Sequence, residues 1–391
     1  MTTTSAHYDI IVVGLGAMGA STLYHLSLTG KKVLGIDQFS PPHPHGSSHG
    51  ETRITRLAIG EGEHYSPFAI RSHEIWRELE SKTRSKLLHQ VGGIIIGDAS
   101  TTTTFHNKPG FLATTIAAAN HYGIRHEVLD APGIRARFPQ FNVSNGESAY
   151  FEPEAGYVIP ELCISSQLIL AKEQGASLNI RERVIAIEAD ISGKAIVQTE
   201  HATYSAEQII VSAGAWVRKL IPSQSSKFRT TRQTLYWFAT KEGSNLYDPT
   251  RCPVYIWSFG ESTDGGIYGF PSIQGREAGI KVATEAYDLD TDPDAVDRAV
   301  SKTSIHEMFT RNLQDRLTDI TPQCVRTTTC LYTITSDSDF IIGRLPLSPQ
   351  VIIVSPCSGH GFKHSAAIGE AVSGLAVGTQ STLSLSAFAP T

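Results

Sequence analysis

Cysteine is scarce in this sequence, and long apolar or basic runs are missing. Five cysteines occur without paired spacing, which argues against a disulfide framework and favours a reducing compartment. A formal charge of −5 without a basic run argues against a nucleic-acid partner. No apolar run approaches the ~18 residues of a membrane span, and the first residues, MTTTSAH, lack the pattern of a signal peptide. We therefore expect a soluble cytoplasmic protein that binds neither nucleic acid nor membrane.

Several familiar catalytic and metal-binding motifs are also missing. His43, His45, His49 and His64 share one loop, but neither a ligand cysteine nor an H-x₃-H helix accompanies them, so no metal site is predicted. The sequence has no G-x-S-x-G elbow and no P-loop. Its 391 residues, 40% hydrophobic with 33 glycines, are enough for two cores of an ordinary α/β protein.

The first 37 residues carry the clearest motif. An apolar run, Ile10–Val13, predicts a buried strand, followed by GLGAMG, a helix to about Thr29, and a second strand. In such a unit Gly14 makes the tight turn, Gly16 lets a pyrophosphate approach the backbone, and Gly19 lets helix and strand pack closely. The free N–H groups at the start of the helix then face the phosphates. The unit predicts a dinucleotide site.

The second strand of this unit ends in a carboxylate. Asp37 lies 23 positions after Gly14, the first glycine, where a carboxylate accepts hydrogen bonds from the ribose hydroxyls of adenosine. A 2′-phosphate would be repelled there, so FAD or NAD is favoured over NADP. Ala17 and Met18, between the glycines, are expected to contact the same cofactor.

The rest of the chain alternates between two kinds of structure. Residues 41–64 are predicted to form a long Pro-, Gly- and His-rich loop. Loops of this length without a helix or strand pattern are usually functional or disordered. The strand 203–211 ends in a small-residue turn at Gly214; this is either a plain core strand with a glycine turn or, as in many flavoproteins, a strand that returns the chain to the dinucleotide. Residues 230–282 indicate antiparallel strands. We predict a dinucleotide domain from residues 1–90, 150–228 and 322–391, interleaved with a mostly antiparallel domain from residues 91–149 and 229–321.

Three later segments make the prediction more specific. They are GSSHGETRITR at 46–56, TTTCLYTITSDSDFIIG at 327–343 and CSGHGFKHSAAIGE at 357–370. Together with the amino-terminal unit, they resemble the monomeric sarcosine oxidase and N-methyltryptophan oxidase family of the D-amino-acid-oxidase-like superfamily. The resemblance spans nearly the whole chain. It implies an α/β fold, with a Rossmann-like FAD-binding domain interleaved with an antiparallel substrate domain, and a flavin-dependent amine oxidase.

The resemblance gives Cys330 a chemical role. A cysteine in an apolar strand is usually a small buried hydrophobe, but the matching family cysteine bonds through its sulfur to the 8α-methyl group of FAD. We therefore expect covalent FAD on Cys330, with Arg326 helping to lower the pKa of the thiol. The other four cysteines are expected in the core; they are Cys163, Cys252, Cys324 and Cys357.

The resemblance also implies how substrate and oxygen are handled. Arg56 and Lys363 match the pair that binds the substrate carboxylate, for which a planar fork and a point charge are suited. Tyr268 and Tyr332 match tyrosines of the amine pocket. Lys281 matches a lysine that promotes the reaction with O₂, because a fixed cation stabilises developing superoxide. From the residues alone, an exposed lysine and ordinary strand tyrosines stay open as alternatives.

Further residues are expected to contact the flavin. The cofactor-binding positions implied by the resemblance are Ser47, Thr52, Gly359, Gly361, Phe362 and Lys363. The catalytic positions it implies are His49, Arg53, Tyr268 and Lys281. Arg53 near the ring would stabilise an anionic reduced flavin. One residue departs from the family: Glu285 stands where the sarcosine oxidases carry histidine, which suggests a different amine substituent. Tyr255 and Trp257 are candidates to line that region.

The resulting prediction is an oxidase of a secondary, N-methyl or N-alkyl amino acid. It would oxidise a C–N bond to an imine that water hydrolyses, and reduce O₂ to hydrogen peroxide. Three alternatives stay open: an oxidase of glycated (fructosyl) or cyclic amino acids, a flavin dehydrogenase using another acceptor, and a flavin-binding module without turnover. We expect a monomer whose partners are a small amino acid and O₂.

Overall fold

The computed structural model describes residues 6–98, 104–106, 108–189, 195–259, 265–356, 358–379 and 381–390. In these ranges none of the helices combines the length and the apolar character needed to cross a bilayer. Cys357, expected in the core, lies outside the described residues. The other four cysteines are free thiols, and all but Cys324 are buried.

The described chain alternates strands with helices. The strands are β1 (Ala6–Val13), β2 (Val33–Asp37), β3 (Arg53–Thr55), β4 (Leu88–His89), β5 (Gly93–Asp98), β6 (Thr104–Phe105), β7 (Lys108–Pro109), β8 (Glu127–Asp130), β9 (Glu147–Glu152), β10 (Gly156–Val158), β11 (Ser177–Ile180), β12 (Val184–Ala189), β13 (Ala195–Thr199), β14 (Thr203–Val211), β15 (Arg229–Thr240), β16 (Val254–Ser258), β17 (Gly266–Gly269), β18 (Ile280–Ala283), β19 (Ile320–Ile334), β20 (Ile341–Leu345) and β21 (Ser348–Ser355). The α-helices are α1 (Ala17–Ser27), α2 (Ser66–Thr83), α3 (Phe111–His121), α4 (Ala131–Arg137), α5 (Pro160–Glu173), α6 (Val217–Leu220), α7 (Lys302–Glu307) and α8 (Ser365–Val377).

The first large sheet contains the amino-terminal unit. Its order is β11-β2-β1-β14-β13-β12, with β21 beside β14 and β20 beside β21. The pairs β11–β2, β2–β1, β1–β14 and β14–β21 are parallel. The central strands are buried and apolar, which is typical of a parallel sheet covered on both faces. Helices α1, α5 and α8 pack together beside it.

The second large sheet is mostly antiparallel. Its order is β19-β15-β18-β17-β16-β5-β9-β8, and only the β16–β5 pair is parallel. A separate hydrophobic cluster with Tyr255 and Trp257 covers one face of this sheet. The predicted α/β class, with a Rossmann-like sheet and an antiparallel one, is therefore confirmed.

The chain passes between the two sheets several times, and the boundaries of the predicted domains stay a prediction. Strand β19, which carries Cys330, pairs along its length with β15 in the antiparallel sheet, although residues 322–391 were assigned to the dinucleotide domain. The long loop 41–64 contains the short strand β3, which joins β10 and β4 in a small sheet. The segment 292–315 holds α7 followed by a π-helical turn, Met308–Leu313.

Candidate active site

A deep cleft opens where the parallel strands β1, β2 and β14 end. It encloses an empty volume of about 1450 Å³, including its open mouth. Of the predicted cofactor-binding residues, those that line it are Gly14, Gly16, Ala17, Met18, Asp37, Ser47, Gly214, Gly359, Gly361 and Phe362. Arg53 and Tyr332 line it too. The carboxyl ends of parallel strands are where α/β sheets bind their ligands.

Each glycine of the first turn is required for a different local reason. Gly14 has φ +88°, and a Cβ there would meet the Ser212 carbonyl oxygen at 2.6 Å. A Cβ on Gly19 would overlap the Gly14 carbonyl oxygen, so this glycine brings α1 against the strand turn. At Gly16 a Cβ would meet only Ser48 Oγ, at 3.7 Å, and would project toward the cleft. Helix α1 starts here without a cap from the side chain of its N-cap residue, and its first backbone donor, Ala17 N, forms only a long hydrogen bond to Ser48 Oγ at 3.4 Å.

Asp37 lies at the same end of the cleft. Its Oδ2 accepts a hydrogen bond from Leu15 N at 2.8 Å, and its Oδ1 accepts one from Phe39 N at 2.8 Å. Burial raises the pKa of this carboxyl group, against the effect of the two backbone donors. The carboxylate is therefore fixed in orientation, and each oxygen keeps a further lone pair for a hydroxyl.

The cleft also contains polar atoms that the protein itself leaves without partners. Thr333 Oγ1 and Ser355 Oγ are buried, belong to residues lining the cleft, and form no hydrogen bond. Buried polar atoms normally find a partner. Together with the open face of Gly16 and the start of α1, they fit a long ligand that carries phosphates and polar ring atoms, as FAD does.

Residues of the 46–56 segment form one wall of the site. Arg53 donates to the carbonyl oxygens of Thr52 at 2.8 Å and Ser47 at 2.5 Å. His49 is buried, and burial together with Arg53 lowers its pKa to about 3, so the imidazole is neutral. Thr52 is also buried, and its Oγ1 forms no hydrogen bond. Arg53 therefore supplies a positive charge to the part of this wall that lines the cleft.

Cys330 lies beneath the tyrosines of the site. Its side chain is buried with Leu235, Trp237 and Ala283, and Tyr268 and Tyr332 pack against this cluster. The hydroxyl groups of the two tyrosines are 3.3 Å apart. Cys330 is thus held next to the cleft, on the same face of β19 as Tyr332.

The prediction that Arg326 lowers the pKa of Cys330 is wrong. Burial raises the pKa of the thiol, and the cations that oppose this rise are Arg53, Lys281 and Arg298. Arg326 instead pairs with Glu51 at 2.6 Å and stacks on Trp237. Four residues along a strand span about 13 Å, which is too far for a direct effect.

Lys281 is buried, so the alternative of an exposed strand lysine does not hold. Its Nζ donates to the carbonyl oxygens of Gly50 at 2.8 Å and Thr52 at 2.7 Å, and lies 4.1 Å from the centre of the Phe270 ring. Burial and the charge of Arg53 lower its pKa well below the ordinary value. Lys281 therefore gives up its proton more readily than an exposed lysine does.

Arg56 and Lys363 come together although 306 residues of sequence lie between them. Both are buried, and both contact the same carboxylate, that of Glu61: Arg56 Nη2 is 2.6 Å from Oε2 and Lys363 Nζ is 3.3 Å from Oε1. Burial would raise the pKa of Glu61, but Arg56 and Lys363 hold it well below its usual range. Burial and Arg56 lower the pKa of Lys363 to about 8, against the effect of Glu61. The pair forms a cradle for one carboxylate.

The cradle continues into a second ion pair. His106 Nδ1 lies 3.1 Å from Glu61 Oε1, and His106 Nε2 contacts Glu285 Oε1. Burial would lower the pKa of His106, but Glu285 and Glu61 raise it. Tyr287 donates to the other oxygen of Glu285 at 2.8 Å.

Sequence reasoning identified Glu285 but missed Glu61 and His106. Glu61 stands in the GEGEH run and His106 between Phe and Asn, with no pattern that marks either for a charged site. Tyr255 and Trp257, candidates for the region near Glu285, lie instead in the core cluster of the second sheet. The part of the chain that the structure describes holds no group of side chains suited to a metal ion.

Comparison with known proteins places this site in context. The sequence model described as FAD dependent oxidoreductase matches residues 9–375. Monomeric sarcosine oxidase of Streptomyces avermitilis is 37% identical over 375 residues, covering 95% of this chain and 94% of the relative. N-methyl-L-tryptophan oxidase of Yersinia pestis is 32% identical, covering 97% and 98%. Among solved structures NikD, an unusual amino acid oxidase essential for nikkomycin biosynthesis, has a TM-score of 0.83 at 22% identity, covering 99% of this chain and 98% of its own.

Proposed function

The chain belongs to the family of FAD-dependent oxidoreductases, and we propose that it is an oxidase of secondary, N-methyl or N-alkyl, amino acids. The proposal depends above all on one observation: two buried cations, Arg56 and Lys363, grip a single carboxylate beside the cleft that fits FAD. Bound FAD supplies a two-electron acceptor for oxidation of the C–N bond. Water then hydrolyses the imine to an amine and an aldehyde, and O₂ is reduced to hydrogen peroxide.

The residues around the cleft have distinct roles in this proposal. The start of α1 and Gly16 receive the pyrophosphate, and Asp37 accepts the ribose hydroxyls. Arg53 supplies positive charge at the flavin end of the cleft, next to Cys330, which carries the covalent bond to the 8α-methyl group. Tyr268 and Tyr332 enclose the amine, and Lys281 serves the reaction with O₂.

The carboxylate cradle orients the substrate. In this structure Glu61 pairs with Arg56 Nη2 and Lys363 Nζ, so a substrate carboxylate that uses these two nitrogens competes with the Glu61 side chain. Exchange of one carboxylate for another leaves the buried cations paired, which avoids the large cost of an unpaired buried charge. Arg56 and Lys363 then fix one end of the amino acid, and orientation contributes to the rate.

Glu61→Gln is expected to lower the Kd of a simple carboxylate such as acetate about tenfold at pH 6.5, about 1.4 kcal/mol, because it removes the competing anion. Binding is measured by titrating the absorbance of the holoenzyme. Affinity of the wild-type protein should fall as the pH rises through about 8, where Lys363 loses its proton. In the variant this fall should begin at lower pH, because Glu61 no longer raises the pKa of Lys363.

The matched control is Glu63→Gln, which removes an exposed carboxylate two residues away. It should leave the Kd of acetate unchanged. Weaker acetate binding in Glu61→Gln at pH 6.5 would show that Glu61 supports the anion site and does not compete for it.

The proposed activity is tested with a panel of N-methyl, N-alkyl, cyclic and glycated amino acids scored by hydrogen peroxide release. N-methyl or N-alkyl amino acids should release peroxide, and their methyl esters should be at least about tenfold poorer substrates because they lack the charge that Arg56 and Lys363 bind. Peroxide from the cyclic or glycated compounds alone would favour the other oxidases. Bleaching of the flavin without peroxide would indicate a dehydrogenase, and a flavin that no amine bleaches would indicate a binding module.

Two further points stay predictions. The absence of paired spacing among the cysteines favours the cytoplasm. We expect the protein to be a monomer, as the resemblance to the monomeric sarcosine oxidases implies.

A further inference from the structure

Glu285 and His106 extend the carboxylate cradle by a second buried ion pair. The cradle and this second pair together contain five charged side chains, and each of them is at most 6% exposed: Arg56, Lys363, Glu61, His106 and Glu285. One imidazole, that of His106, lies between two carboxylates, with Nδ1 at 3.1 Å from Glu61 and Nε2 in contact with Glu285. The pairing of Arg56 and Lys363 accounts for Glu61, but it does not account for Glu285.

Glu285 lies directly behind Gly359, a glycine that lines the cofactor cleft. Gly359 lines that cleft and has φ +88°, and a Cβ on it would lie 3.2 Å from Glu285 Oε1 and 2.7 Å from Tyr332 Cε2. The Glu285 carboxylate and the Tyr332 ring therefore converge on one spot behind the cleft wall. Burial is the main cause that raises the pKa of Tyr268 and of Tyr332, and the charge of Glu285 raises both further.

This spot is at the amine end of the proposed substrate. Arg56 and Lys363 fix the carboxylate, and the two tyrosines enclose the nitrogen and its substituent. A carboxylate in a buried site is poorly screened, so it attracts a hydrogen-bond donor or a cation and opposes another anion strongly. Tyr287 and His106 each contact one oxygen of Glu285, and a carboxylate oxygen can accept more than one hydrogen bond.

We propose that Glu285 is a specificity-determining residue that selects amino acids whose N-substituent carries a positive charge or a hydrogen-bond donor. The inference rests on the proposed function, because the cradle must hold the α-carboxylate for the N-substituent to reach Glu285. It names a substrate class: glycine-like acids with an aminoalkyl or hydroxyalkyl group on nitrogen, in preference to those with a carboxyalkyl group.

The experiment uses three N-substituted glycines of similar size and different charge: N-(2-aminoethyl)glycine, N-ethylglycine and N-(carboxymethyl)glycine. For the wild-type holoenzyme, kcat/KM measured by peroxide release should fall in that order. Glu285→Gln should lower the ratio of the aminoethyl to the carboxymethyl compound at least tenfold, mainly through KM. N-ethylglycine, which carries no charge in its substituent, is the reference: its change reports any effect of Glu285→Gln on the cradle itself, and each charged compound is compared with it.

Two further variants keep the test decisive. Tyr287→Phe removes the hydrogen bond to Glu285 and keeps its charge, so the order of the three substrates should persist. Glu285→His replaces the anion by an imidazole and should favour the carboxymethyl compound. This variant provides the test if Glu285→Gln does not fold. An equal change for all three substrates in the Glu285 variants would overturn the inference. Failure of the wild-type protein to oxidise even N-ethylglycine and sarcosine would instead overturn the proposed function.

Discussion

Lys281→Met is expected to slow the reaction of the reduced holoenzyme with O₂ by about 100- to 1000-fold, the cost of removing one preorganised charge from a buried site. The physical reason is the anion that forms when O₂ takes its first electron. Lys281 is buried and held between two carbonyl oxygens and the Phe270 ring. The ammonium group therefore needs no reorganisation of water to meet that anion.

The measurement separates the two halves of the reaction. Protein reduced with dithionite is mixed with O₂ and the return of flavin absorbance is followed, while anaerobic reduction by substrate is recorded separately. Only the first rate should fall in Lys281→Met. Because burial lowers the pKa of Lys281 well below its ordinary value, the wild-type rate should rise as the pH is lowered through that pKa. The variant should show no such rise.

A matched lysine is available as a control. Lys82 on α2 donates to the Tyr24 hydroxyl at 2.8 Å, away from the cleft. Lys82→Met should react with O₂ at the wild-type rate. If Lys281→Met also reacts at that rate, oxygen activation belongs to another cation, and Arg53 is the nearest candidate because its charge lowers the pKa of Lys281.

The fold could be predicted from the sequence where local patterns are strong. In the amino-terminal unit the ends of β1 at Val13 and of β2 at Asp37 agree with the prediction, whereas β1 starts at Ala6, before the predicted Ile10, and α1 ends at Ser27, before the predicted Thr29. Helix α2, Ser66–Thr83, has its buried apolar residues at helical spacing, which is such a local pattern. Strand β19 begins at Ile320, and its residues before Cys330 are mostly polar and not buried, so no local apolar pattern marks them. Its membership in the antiparallel sheet depends on pairing with β15, a long-range contact that no local pattern reveals.

The charged site could be predicted only in part, for a related reason. Arg56 and Lys363 were identified by the segments they stand in. Glu61 pairs with both cations and with His106 through contacts between distant parts of the chain. A lone glutamate is usually a surface residue, so the sequence did not mark it. Arg326 was wrongly expected near Cys330, because proximity in sequence is not proximity on a strand. The cations that surround Cys330 come from three other parts of the chain.

Cys330→Ser is expected to abolish acid-stable attachment of the flavin completely. Contacts of the cleft are lost when the protein denatures, whereas a thioether bond survives. Forming that bond removes one hydrogen from the thiol and one from the 8α-methyl group, so it needs a two-electron oxidant, for which O₂ serves. Precipitation of the wild-type protein with acid should give a yellow pellet. The pellet of Cys330→Ser should be colourless, with FAD in the supernatant.

The same experiment shows whether the cleft works without the bond. Before precipitation Cys330→Ser should still be yellow, because Asp37, the glycine turns and the start of α1 lie apart from the thiol. Cys252→Ser changes another buried thiol, in the core of the second sheet, and its pellet should stay yellow. A yellow pellet from Cys330→Ser would place the attachment elsewhere. Colourless wild-type pellets would mean that the buried thiol, whose pKa burial raises, stays unreacted and that the cleft holds FAD by its contacts alone.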